Sequence, residues 1–164
     1  MTQDPDPLLA ATQVGHAMNM IAELPPHTAD SSLPAVLRAA AFESFFVNMR
    51  LLLEFLVMRR DLRSIHRHDY LPDWDPEPSA TVRRMRKYDY RFVCDQVSHL
   101  SKKRITRTGA ITVNIPLARL RELAGAVFDE MERFALALRE AGSEELAETF
   151  ESYVRQARTR AASG

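Results

Sequence analysis

Residues 39–58, AAAFESFFVNMRLLLEFLVM, form the most apolar stretch of the chain. At about 100° per residue, one broad face of a helix over this stretch holds Phe42, Phe45, Phe46, Met49, Leu52, Leu53, Leu56 and Val57. Much of the other side is covered by Val47, Leu51, Phe55 and Met58. A helix that is apolar almost all round is typical of the centre of a helical protein. We therefore expect the other helices to pack around this one.

A narrow charged stripe interrupts this apolar surface. Glu43, Arg50 and Glu54 nearly superimpose on the helical wheel. We predict that they form a buried or interfacial polar network, in which loss of one partner costs about 3–5 kcal/mol. A membrane-spanning helix is disfavoured, because each charged residue costs about 2.5–3.5 kcal/mol at the bilayer centre.

The bulk composition is that of a globular protein. The 164 residues, 46% hydrophobic and 27% charged, fit a single domain over residues 1–164, with flexible ends at 1–7 and 159–164. Cys94 is the only cysteine, so no internal disulfide can form, which favours a reducing, cytoplasmic location. The first residues, MTQDPDP, lack a basic region followed by an apolar run, and we expect no signal peptide.

Helical periodicity predicts the first two helices. The first spans residues 8–24 and ends at Pro25 and Pro26, since proline lacks the N–H group that continues a helix. The second runs from residue 33 to about residue 62. The following loop, residues 63–79, contains Tyr70, Leu71 and Trp74. We expect these apolar side chains to dock on the helices.

The rest of the chain predicts three more helices. Ser79 begins a third helix that reaches about residue 103, and Pro116 begins a fourth. Gly142 is placed to end the fourth, and a short fifth helix follows, fraying from Arg158. The predicted fold is all-α: an up-down bundle of four longer helices plus a short C-terminal helix.

Charge is divided unevenly along the chain, although the formal net charge is zero. Residues 83–107 carry nine basic and two acidic side chains, whereas residues 129–151 carry eight acidic and two basic ones. Such asymmetry favours an anionic partner for the basic segment. The alternative is that the basic and acidic helices pack side by side and neutralise each other.

Common catalytic and metal-binding signatures are absent from the sequence, and we predict neither a metal nor a cofactor. The most suggestive pair is Asp95 and His99, which are four residues apart and share a helix face. A carboxylate orients a histidine ring and raises its proton affinity, as general acid–base catalysis requires. The alternative is a histidine at the core edge whose hydrogen bonds are satisfied by Asp95 or the backbone.

Three segments carry a family resemblance: AAFESFFVNMRLLLEFL, RRDLRSIHRHDYLPDW and RFVCDQVSHLSKKR, within residues 39–104. Their order resembles that in a group of actinobacterial proteins with a HEPN-like helical bundle. HEPN proteins are typically homodimers, and many are metal-independent ribonucleases or RNA-binding parts of toxin–antitoxin and phage-defence systems. Their signature is an arginine, a polar residue and then a histidine on a late helix. If His99 and Asp95 match that signature, the arginine position falls on Cys94.

The resemblance implies two functions. The first, favoured by the missing arginine, is a non-enzymatic dimeric interaction or RNA-binding module, with a homodimer, RNA or another protein as the partner. The second is a metal-independent HEPN-type ribonuclease, with His99 as the base and Asp95 orienting it. In either case Arg91, Lys102 and Arg104 are the expected contacts to RNA phosphates.

Overall fold

The computed structural model describes residues 6–58, 65–76, 79–97 and 115–163, and every regular element in these ranges is helical. Four helices are α1 (Pro7–Ala29), α2 (Ala35–Val57), α4 (Leu117–Glu140) and α5 (Glu144–Ser163). The remaining helix, α3, consists of Ala80–Arg84, a π-helical turn Met85–Asp89 and Tyr90–Val97 in one uninterrupted run. The predicted all-α class is confirmed. The up-down order and the HEPN-like relationship stay predictions.

The core forms around one side of α2. Phe45, Phe46, Met49 and Leu56 are fully buried, and α1, α3 and α4 all contact this helix. Burial of a large apolar side chain contributes about 1.5–3 kcal/mol, so the aromatic face of α2 is a major source of stability. The opposite face differs from the prediction, because Val47 and Leu51 are exposed.

The first helix continues past the two prolines that were expected to end it. It runs to Ala29 with Pro25 and Pro26 inside its last turns. Proline in a helix interior typically costs about 3 kcal/mol or more, so other contacts must hold this end. Pro25 is buried, and the hydroxyl of Thr28 donates to the Pro25 carbonyl at 2.7 Å. The predicted end was wrong because tertiary packing outweighs the local penalty.

The second helix ends at Val57, earlier than predicted, and residues 59–62 lie outside the described ranges. Carbonyl groups at a helix C-terminus lack partners within the helix. Here they contact side chains from later in the chain: His66 Nδ1 at Glu54 (3.1 Å), Arg86 Nε at Val57 (3.0 Å) and Arg67 Nη1 at Met58 (2.8 Å). These contacts attach the following loop and α3 to the end of α2.

The loop that follows docks on the helices, as predicted. The ring centroid of Tyr70 lies 5.5 Å from that of Phe150, and the centroid of Trp74 lies 5.1 Å from that of Phe134. Both pairs meet edge to face, a favoured aromatic geometry. The Tyr70 hydroxyl also donates to the Pro7 carbonyl at 3.1 Å, joining the loop to the start of α1.

The predicted boundaries of the later helices are mostly confirmed. The Ser79 hydroxyl accepts a hydrogen bond from the Val82 N–H at 3.0 Å and caps α3. Gly142 has a φ of 82° and ends α4 in the left-handed conformation that glycine adopts most readily. The fifth helix is not short, since it has 20 residues and continues beyond Arg158 to Ser163. The fraying expected there was wrong because Ala157 is buried and Arg158 bonds to acids of α4.

Two helix-interior glycines have contrasting surroundings. Gly15 lies where α1 meets α5, and a Cβ atom there would be 2.7 Å from the ring of Tyr153. A Cβ atom on Gly125 of α4 would have nothing within 4 Å. The close approach of α1 and α5 therefore depends on glycine at position 15, whereas the packing around position 125 does not.

We expect Gly15→Ala to be less stable than Gly125→Ala by about 1–3 kcal/mol, the usual cost of overpacking. Both substitutions gain similar helix propensity, so the difference isolates the contact with Tyr153. Urea unfolding of the two variants measures it. Equal free energies of unfolding would show that the Tyr153 ring moves aside without cost.

Candidate functional site

The predicted catalytic pair is only partly within the described structure. His99, Lys102 and Arg104 lie outside the described residues. Asp95 lies near the end of α3, where its side chain is partly exposed and has an interaction partner. Arg91, one turn earlier, is exposed. The pairing of Asp95 with His99 therefore stays a prediction.

The charged stripe of α2 lies at the surface. Arg50 Nε and Glu54 Oε1 are 2.7 Å apart, and the Arg50 side chain is 45% exposed. Glu43 is partly exposed and has a partner of its own. Among the described residues, Arg50 is half exposed and Glu54 is 20% exposed, and the buried or interfacial network stays a prediction.

Glu54 also joins α2 to α3. The Tyr90 hydroxyl donates to Glu54 Oε1 at 2.9 Å. Burial raises the pKa of Tyr90, and the hydrogen bonds to Glu54 and Cys94 raise it further. The hydrogen bond to Glu54 likewise raises the pKa of Arg50, with a smaller contribution from Cys94. Arg50, Glu54, Tyr90 and Cys94 therefore form one electrostatically linked cluster.

A second cluster joins α3 to α4 through a buried acid. Asp89 is 1% exposed and accepts hydrogen bonds from Arg84 Nε (3.0 Å) and Arg119 Nη2 (2.7 Å). The same two arginines bond to Glu122 at 2.6 and 2.7 Å. Two cations and two carboxylates form a closed, neutral ring, which positions the π-helical turn of α3. Local periodicity does not reveal this ring, since the pair on α3 and the pair on α4 are at least 30 residues apart in the sequence.

The acidic helices are neutralised mainly by their own arginines. Arg139 of α4 bonds to Glu144 (2.6 Å) and Glu151 (3.0 Å) of the following segment, and Arg158 of α5 bonds to Asp129 (2.8 Å). Among the described residues no ion pair joins α3 to the acidic segment 129–151. Within the described ranges, the acidic helices therefore do not neutralise Lys87 and Arg91 of α3 as the alternative interpretation required.

The outer face of α3 carries the basic residues that remain. Arg83, Lys87 and Arg91 are spaced four apart and exposed, and Tyr88 beside them is 61% exposed. Lys87 Nζ lies 5.3 Å from the centroid of the Tyr88 ring, within the range of a cation–π contact. Lys87 and Arg91 form no ion pair with any described residue. We call Arg83, Lys87, Tyr88 and Arg91 the basic face of α3.

Sequence reasoning found only Arg91 of this face. The four-residue spacing of positions 83, 87 and 91, interleaved with Tyr88, was a visible signal for the others. What the sequence did not reveal is which basic residues point inward. Arg84 and Arg86 bond to acids and to the end of α2, and are therefore not part of the outer face.

Metal-ligating side chains are not grouped in the part of the chain that the structure describes. His66 and His68, the nearest candidates in the sequence, lie 3.1 Å from the carbonyl oxygens of Glu54 and Pro72. Both rings are engaged with the backbone. In the same described ranges, no helix combines the length and the apolar character that crossing a membrane requires.

No family model, curated protein or solved structure matches this chain. The HEPN-like resemblance, with the dimer and the RNA chemistry that it implies, therefore stays a prediction. The geometry of the described residues is what supports a function.

The two clusters should respond differently to mutation. Asp89→Asn replaces a buried carboxylate that accepts hydrogen bonds from two arginines. We expect it to lower the free energy of unfolding by about 1.5–3 kcal/mol. In a single, unassociated chain, Arg50→Ala removes a half-exposed ion pair and should cost less than about 1 kcal/mol, far below the loss expected for a buried network. Chemical denaturation of both variants tests this. A larger loss for Arg50→Ala would show that the stripe is covered in solution.

Proposed function

We propose that the protein is a non-enzymatic, dimeric RNA-binding module that contacts RNA through the basic face of α3. The observation that carries this proposal is that Lys87, Tyr88 and Arg91 are exposed side by side. The positive charges of Lys87 and Arg91 are not neutralised by any described acid. Proteins that bind single-stranded nucleic acid combine cationic side chains along the backbone with aromatic rings on which bases stack. The basic face supplies both.

The side chains of the basic face are arranged so that they can contact a short stretch of single-stranded RNA. Lys87 and Arg91 are one helical turn apart on the same side, so they can bind neighbouring phosphates. Tyr88 projects beside them with most of its ring in solvent, which leaves it open to a base. Lys102 and Arg104, the other predicted phosphate contacts, follow α3 in the sequence and lie outside the described residues.

A ribonuclease is the second candidate, and one observation favours it. The arginine that the HEPN signature requires is replaced by Cys94, but, besides Glu54, Cys94 contributes to the raised pKa of Arg50 of α2, which indicates that the two groups interact electrostatically. In that case the Arg50 guanidinium group would stabilise phosphate charge in place of the missing arginine, with His99 as the base. Arg50 is already paired with Glu54 at 2.7 Å, and this is why we favour binding without cleavage.

The dimer that we propose uses the exposed face of α2. Four apolar residues on this face, Val36, Ala40, Val47 and Leu51, are separated by four, seven and four positions. The intervals between these residues are the same whether they are counted from the N-terminal or from the C-terminal end of the helix. A second copy packed antiparallel about a two-fold axis would place Val36 opposite Leu51 and Ala40 opposite Val47, as the self-complementarity of a two-fold interface requires.

RNA binding should depend on salt and on the basic face. We expect single-stranded RNA in EDTA to bind the parent protein, with a salt slope that falls by about 0.7 for each phosphate contact removed in Lys87→Gln and Arg91→Gln. Tyr88→Ala should weaken binding by about 1–3 kcal/mol if a base stacks there. Fluorescence anisotropy over a salt titration gives all three values.

The matched control is Arg155→Gln, which removes an exposed arginine on α5. RNA binding that is unchanged in the α3 variants, or equally weakened in the control, would contradict the assignment of the basic face. RNA cleavage that survives EDTA and disappears in His99→Ala, with a loss also in Arg50→Gln, would establish the ribonuclease instead.

The dimer makes a separate prediction. Leu51→Glu should convert the protein to a monomer without loss of helical content, because it places a charge in an apolar interface. Leu136→Glu on α4 is the control, since both leucines are 53% exposed. Light scattering with size-exclusion chromatography measures the mass of each. A monomeric parent protein, or the same change in both variants, would rule out this interface.

A further inference from the structure

A cleft between α1, α4 and α5 lies apart from the basic face of α3 and from the exposed face of α2. Its volume is about 310 Å³, at the lower end of the range of roughly 300–1,000 Å³ for small-molecule sites. We infer that this cleft binds a small amphipathic monocarboxylate, with its apolar chain inside the cleft and its carboxylate at Arg121.

The inner wall of the cleft is part of the hydrophobic core. Ile21 of α1 and Phe128 of α4 are buried and line the cleft. Small side chains surround them and leave the space unfilled: Ala22, Ala124, Ala161 and Ala162. An aliphatic chain placed here would exchange water for apolar contacts, which is the main favourable term for such ligands.

Gly125 is a second feature that keeps the cleft unfilled. It lies in the interior of α4, where glycine costs about 0.5–1 kcal/mol relative to alanine. Nothing lies within 4 Å of the position its Cβ atom would take, and it lines the cleft. Gly15 is required by the ring of Tyr153, but no contact in the described chain requires glycine at 125. A bound ligand gives it a role.

Two arginines line the cleft, and their surroundings define the charge of the ligand. Arg158 Nη2 is bonded to Asp129 (2.8 Å) and Glu132 (3.1 Å), so its charge is already balanced. Arg121, one turn before Gly125, is exposed and makes no ion pair or side-chain hydrogen bond with any described residue. One cation is therefore available, which matches a single carboxylate. A multiply charged anion would be repelled by Asp129 and Glu132.

Octanoate is a suitable probe, and octanol is its uncharged counterpart. We expect octanoate to raise the melting temperature of the protein in a concentration-dependent way, and to bind more tightly than octanol. Gly125→Leu should abolish binding of both compounds, because its side chain fills the cleft. Arg121→Gln should weaken octanoate binding by roughly twofold to fivefold, as expected for one exposed ion pair, and should leave octanol unaffected.

Ligand-observed NMR titration gives the dissociation constants, and circular dichroism checks that each variant is folded. Gly125→Ala, a smaller change at the same position, tests the cleft if Gly125→Leu does not fold, and should reduce the affinity for octanoate. Arg155→Gln is the charge control outside the cleft. Undetectable octanoate binding, binding that survives both substitutions at position 125, or equal affinity for octanoate and octanol would overturn the proposal.

Discussion

The C-terminal end of α2 is capped by hydrogen bonds from residues outside the helix. The carbonyl oxygens of its last residues contact His66, Arg67 and Arg86, which come from the next loop and from α3. Burial lowers the pKa of Arg67, yet Asp75 bonds to both arginines at 2.5 and 2.6 Å and offsets the cost of their charge. Unpaired buried carbonyl groups are costly. The need to pair the last carbonyl groups of α2 therefore places both the following loop and α3 against the central helix.

The placement of α3 has a consequence for its charges. Arg84 and Arg86 bond to Asp89, Asp75 and a carbonyl of α2, so two of the five basic residues of this helix are engaged with the rest of the structure. The others are left on the outer face with Tyr88. A basic segment that appeared uniform in the sequence is thus divided into a structural part and a part open to an anionic partner.

Glu130, a buried acid on α4, shows how burial changes the pKa of a charged residue. Burial raises the pKa of Glu130, and the nearby Arg133, bonded to it at 2.6 Å, offsets only part of this effect. Its other oxygen, Oε1, has no hydrogen-bond partner in the part of the chain that the structure describes. Glu130 was expected only as one charge of an acidic helix, because nothing in its local sequence distinguishes it from its exposed neighbours Asp129 and Glu132.

The sequence by itself determined the all-α class, the cap at Ser79 and the helix end at Gly142, because each depends on residues within a few positions. It also placed Arg91 on a basic helix. Tertiary structure decided that α1 continues through Pro25 and that α2 exposes Val47 and Leu51. It also decided which arginines face solvent and where the cleft beside Gly125 lies. These features depend on contacts between residues distant in the chain, whose free energies local periodicity does not contain.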